Sequence, residues 1–142
     1  GENGKVCPAA AAARIHAWSD GYPYYIQKLS YFVFEASKGS VTDKRLHDGL
    51  TQMLLEETPL FEIMLQSLRP RQIALLGAVA KETTKTPFAA DYLNRHRLGS
   101  LGGVQAAIKK LSEMDYLEKT PSGWKVVDPI FALWLRGKES ME

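Results

Sequence analysis

Apolar residues recur at spacings of three and four along most of the chain, the period of helices that bury one side, and alternation takes over only near residue 120. Ala10 to Trp18 favours helix, Asp20-Gly21 supplies a stop, and Pro23 restarts a helix where proline is best tolerated. In that second helix Tyr25, Leu29, Phe32, Val33 and Ala36 form one stripe, predicted to end near Lys38-Gly39. Thr42 suits the cap of the next helix, whose Leu46, Leu50, Met53 and Leu54 continue the pattern. Thr58-Pro59 offers a fresh cap and first-turn proline, so Leu60, Phe61, Met64, Leu65 and Leu68 are predicted to form a separate amphipathic helix.

Leu68-Arg69-Pro70 then opens a helix with Ile73, Leu75, Leu76 and Val79 on its apolar side. Thr86-Pro87 is predicted to cap the next, running towards Arg95, and Leu98-Gly99-Ser100 to form the turn of a helix-turn-helix. At about 100° per residue the third helix gathers Val104, Ala107, Ile108, Leu111 and Met114 on one side. Leu117 to Thr120 and Trp124 to Val127 are strand-like runs joined by Pro121-Ser122-Gly123, hence a hairpin. Asp128-Pro129 caps a closing helix made amphipathic by Ile130, Phe131, Trp134 and Leu135. Three helices, a hairpin and a closing helix are the order of a winged helix. The fold expected is mainly α: a helical lid-like module over residues 1–67, then a winged helix-turn-helix with a small β-hairpin wing over 68–142.

Composition narrows the setting. The chain has 142 residues, 45% of them hydrophobic, enough for one compact domain or two small ones. The formal charge of +2 is uneven: 7 basic and 8 acidic residues up to Arg69 give −1, and 11 and 8 from Pro70 give +3. Cys7 is the only cysteine, which excludes an internal disulfide and a multi-cysteine zinc site and makes the cytoplasm the expected compartment. Ala9 to Ala13 is too short, and too closely followed by Arg14 and His16, for a signal-peptide core. No apolar run is long enough to cross a bilayer, so no membrane partner is expected. The first residue is Gly1 rather than methionine, as in a trimmed fragment.

The candidate chemistry lies on the outer side of the third helix, where Gly102, Gln105, Ala106, Lys109 and Glu113 fall, with Lys110 at the margin. Gln105 can pair with adenine, and Lys109 or Lys110 with guanine or phosphate. Lys119 and Lys125 flank the hairpin tip and suit the flanking backbone of a duplex. Gly102 and Gly103 weaken the first turn by roughly 1 kcal/mol each if truly interior, but let a DNA backbone come close. Glu113 counts against that use, because a carboxylate repels phosphate. Two uses therefore stand open: duplex DNA binding, or protein contact by a regulatory module. A continuous positive surface joining the third helix to the wing favours DNA, whereas Glu113, Asp115 and Glu118 breaking it favour a protein.

Nothing in the chain points to catalysis. His16, His47 and His96 have no metal-ligand spacing and are expected at the surface or at caps. Cys7 lacks a positioned base, and the acidic residues, including Glu56-Glu57 and Asp43 with Asp48, suit solvated helix faces. Tyr22, Tyr24 and Tyr25 are expected to pack rather than to cage a ligand. A phosphate-binding loop needs G-x-x-x-x-G-K-[ST], and Gly4-Lys5 is followed by Val6 with no glycine at the required spacing.

Three stretches carry a family resemblance: Ser19-Asp20-Gly21-Tyr22-Pro23-Tyr24-Tyr25-Ile26-Gln27, Leu68-Arg69-Pro70-Arg71-Gln72, and Val127-Asp128-Pro129-Ile130-Phe131-Ala132-Leu133-Trp134-Leu135-Arg136. They resemble the lid-helix segment, the opening of the winged helix and the closing motif of the C-terminal region of archaeal-type AAA ATPases, a family shared with many bacteria. The last is the most specific, and the resemblance covers nearly the whole chain. It implies a parent protein with an upstream nucleotide-binding domain that uses ATP and Mg, while this chain holds no cofactor and no metal of its own. Related initiator ATPases often reach the nucleotide with an arginine of the lid helix. The matching stretch here is Gly21-Tyr22-Pro23-Tyr24-Tyr25, leaving Arg14 or Lys28 to substitute.

Overall fold

A computed structural model of the chain describes residues 5–35 and 40–140. Ala36 and the helix stop expected at Lys38-Gly39 lie outside these residues, as does Gly4. The chain divides into two compact units, 1–59 and 60–142.

The first unit opens with α1 (Pro8–Ser19) and α2 (Pro23–Ser30), each with proline in its first turn. The stop between them works as its residues suggest: Asp20 and Gly21 both take positive φ, and the Gly21 amide donates to the His16 carbonyl at 3.2 Å. The stripe of the second predicted helix does not stay α-helical, since Tyr31–Glu35 is π-helical, a widening that buries Val33 and leaves Phe32 half-buried. Ala11, Ile15, Tyr25, Leu29, Val33, Leu46 and Met53 form this unit's core. Of the three tyrosines only Tyr25 is buried; Tyr22 and Tyr24 are exposed and lie against its ring.

One long helix, α3 (Asp43–Gln66), replaces the two predicted around Thr58-Pro59. Thr42 caps it, its Oγ1 accepting the Arg45 amide at 3.1 Å. It runs through Pro59 because the buried positions Met53, Glu57, Phe61 and Leu65 keep one four-residue phase across the proline. The carbonyl that loses its donor to proline belongs to Leu55, on the exposed side where water can replace the bond. Thr58 donates its hydroxyl back to Leu54 O at 2.8 Å instead of capping a new helix.

The second unit comprises the last turns of α3, then α4 (Pro70–Lys81), α5 (Ala90–Arg95), α6 (Leu101–Glu113), the antiparallel strands β1 (Leu117–Thr120) and β2 (Gly123–Val126), and α7 (Pro129–Ser140). This is the expected winged-helix order. α4 is the hub, packed with α6, α7 and β2. Its Leu75, Leu76 and Val79 are fully buried, as are Tyr92, Leu98, Val104, Leu111 and Leu117 of the same unit. Asp128 Oδ1 accepts the amides of Ile130 and Phe131 at 2.9 and 3.1 Å, and the Phe131 and Trp134 rings cluster with Phe61.

One local expectation needs correction. Thr86-Pro87 forms a turn, and α5 starts only at Ala90, because the Thr86 amide is taken by Thr84 Oγ1 at 3.0 Å and Thr86 O accepts from Ala89. The hairpin is also joined by a third, one-residue strand: the Trp124 amide donates to Thr84 O at 2.7 Å, on the side of β2 opposite β1. A single bridging residue has no period to reveal it in the sequence.

Candidate nucleic-acid interface

The turn before α6 is built from backbone that side chains rarely allow, with φ of 53° at Arg97 and 85° at Gly99. Ser100 then caps the helix, its Oγ accepting the Gly103 amide at 3.2 Å. Val104, Ala107, Ile108 and Leu111 are buried, which turns Gly102, Gln105, Ala106, Lys109, Lys110 and Glu113 outward, all of them exposed. Lys109 and Lys110 form no ion pair among the described residues.

The two wing lysines differ. Lys119 is exposed on β1, but Lys125 is half-buried on β2, with Nζ 3.6 Å from Glu118 Oε1 across the hairpin. Three exposed carboxylates, Glu113, Asp115 and Glu118, occupy the stretch that joins α6 to the wing. Positive charge is therefore not continuous from the helix to the hairpin. It gathers instead between the α4 start and α6.

There a cleft of about 350 Å³ is lined by Arg69, Arg71 and Gln72 of the α4 start and by Gly103, Ala106, Ala107 and Lys110 of α6. Neighbours in sequence, Lys109 and Lys110 are thus separated in role: one shares the outer face with Gln105, the other lines the cleft. Arg69 and Arg71 are not legible in the sequence as part of this site. Their only signal was the pair of arginines flanking Pro70, and nothing local relates them to a helix 30 residues on. A second, larger groove of about 890 Å³ lies between α4, α5 and α7, floored by Ala74, Gly77 and Ala78 and edged by Lys81, Arg97 and Lys138.

The remaining polar clusters are structural. Arg14 pairs with Asp43 and reaches His47 Nε2 at 3.3 Å, and Lys28 Nζ lies 2.6 Å from the buried Glu57 carboxylate, so both lid-cation candidates are committed within the first unit. Burial pulls the Lys28 ammonium down, but its hydrogen bonds to Glu57 and Tyr24 outweigh that and leave its pKa above the ordinary value. His96 takes the capping place of the two expected for it, as the C-cap of α5; its side chain is 12% exposed and its Nε2 lies 2.6 Å from Glu82 Oε2. Cys7 is exposed. Among the described residues no group of three His, Cys, Asp or Glu side chains is placed to hold a metal, and no helix is long and apolar enough to cross a membrane.

Residues 59–137 match a family model described as a probable winged helix domain. No curated protein and no solved structure matches the chain.

Proposed function

Since the chain belongs to the family of probable winged helix domains, we propose that its second unit binds duplex DNA, with the outer face of α6 entering the major groove. The observation that carries this reading is the exposed, unpaired Lys109 and Lys110 on a helix whose opposite side is buried, with Gln105 one turn before them. Helix-turn-helix proteins lay the recognition helix in the major groove, and the outer face of α6 carries Gln105 together with these two lysines. Lys119 meets the flanking backbone; Lys125, engaged with Glu118, contributes less. Anisotropy titration with a labelled duplex tests the reading. Micromolar binding that weakens steeply with salt and is lost in Lys109→Ala plus Lys110→Ala is expected, and salt-insensitive or absent binding rejects it.

In the same reading, residues 1–67 are the lid of an AAA-type parent and 68–142 its terminal winged helix, so nucleotide state moves the lid and with it the DNA-bound domain. ATP and Mg belong to the upstream nucleotide-binding domain, catalysis belongs to the parent, and the setting is cytoplasmic. What supports this is the similarity of the Ser19–Gln27 and Val127–Arg136 stretches to that family's motifs. A phosphate-binding loop upstream of Gly1 in the parent gene is its test.

A second reading has its own observation. The exposed Glu113, Asp115 and Glu118 interrupt the path from α6 to the wing and favour a regulatory module that contacts protein through that face. Charge reversal there, Glu113→Lys with Glu118→Lys, separates the two: it strengthens DNA binding under the first reading and abolishes partner contact under the second.

A further inference from the structure

We propose that the cleft between the α4 start and the row Gly103, Ala106, Ala107 and Lys110 is a phosphate site that takes one backbone phosphodiester of duplex DNA; this rests on the DNA reading above. Arg69, Arg71 and Lys110 line the cleft, and no carboxylate does. Gln72, its other polar side chain, is already engaged, with Oε1 accepting the Arg69 amide at 2.8 Å.

Arg71 carries the inference. It is exposed, and it has no ion pair or hydrogen bond among the described residues. Its guanidinium nevertheless lies folded against the turn into α6: Nη2 is 3.0 Å from where a Cβ would stand on Gly99, and a Cβ on Gly103 would collide with Nη1. A cation thus shares one cleft with two others, near a helix end whose dipole is already positive, with no carboxylate in the cleft lining to offset it. An anion resolves that conflict. The planar fork of a guanidinium matches two oxygens of a phosphate, and Lys110 supplies a point charge from the facing helix. Gly103 is a positioning residue, since its missing side chain is the space Arg71 occupies. That gives the glycine a purpose the helix itself does not.

Duplex titrations of the full chain across a range of KCl test this, with Arg71→Ala, Gly103→Ala and Gly137→Ala beside the unaltered protein. Alanine at 103 displaces only the far end of a flexible side chain, so the fold tolerates it, while a Cβ at 137, in α7, meets nothing within 4 Å and serves as the control. The unaltered protein and Gly137→Ala are expected to bind alike. Arg71→Ala and Gly103→Ala should bind roughly fivefold more weakly, with a salt slope lower by about 1. An unchanged slope in Arg71→Ala overturns the cleft and leaves DNA binding standing; no duplex binding by the unaltered chain overturns both. Inorganic phosphate, followed through the amide shifts of Gly103, Ala106 and Lys110, separates the two sources of a phosphate group. Shifts only at millimolar phosphate but at micromolar duplex are expected, and micromolar saturation by phosphate alone overturns the assignment to a phosphodiester.

Discussion

Glu82, just past the end of α4, joins that helix to α5. Arg95 donates to its carboxylate at 2.6 and 3.0 Å, His96 Nε2 lies at 2.6 Å, and the Tyr92 hydroxyl donates to its backbone carbonyl at 2.9 Å. The hydrogen bonds from Arg95 and then His96 hold the carboxyl at about 2, against an ordinary 4.5. Because the folded value is the lower one, the stabilisation is fully present above about 4.5 and is lost as pH falls towards 2. Chemical unfolding across that window should therefore show a steeper acid loss in the native protein than in Glu82→Gln, and parallel curves would contradict the assignment. At the wing, Gly123 has φ of 124°, and a Cβ there would come within 2.7 Å of the Thr84 carbonyl. That neighbour is backbone and cannot swing away. Gly123→Ala is expected to cost about 1–3 kcal/mol, read as a lower denaturation midpoint.

Elements were legible where a few adjacent residues decide them. α7 follows from Asp128-Pro129 and four apolar residues, and Asp128→Ala should remove its cap at a cost of about 1 kcal/mol in thermal or denaturant unfolding. The α6 wheel was readable for the same reason: one helix supplies both its buried and its outer faces. The break at Thr58-Pro59 was misread because a local cap-plus-proline signal competed with a buried stripe that continues past it, and the stripe won. Pro59→Ala should accordingly stabilise α3, by up to roughly 3 kcal/mol, raising the unfolding midpoint. The Thr84 bridge and the Arg71 cleft were illegible in a different way. Each joins residues 30 or more positions apart through a single contact, and no pattern of spacing encodes that.

For the molecule as a whole, the uneven charge agrees with where the candidate surface lies. The excess of +3 falls from Pro70 onward, and Arg69, Arg71 and Lys110 line one cleft between the α4 start and α6. Amide shifts on adding duplex should accordingly concentrate at Arg71, Gly103, Gln105 and Lys110 and spare residues before 60; a response spread evenly over both units would count against the assignment. The sheet has a separate consequence. Thr84 bridges β2 at Trp124 on one side and β1 pairs it on the other, so the long outer edge of the hairpin is that of β1, four residues bearing the opposite charges of Glu118 and Lys119. So short and charged a rim makes a poor template for strand exchange between crowded copies of this protein.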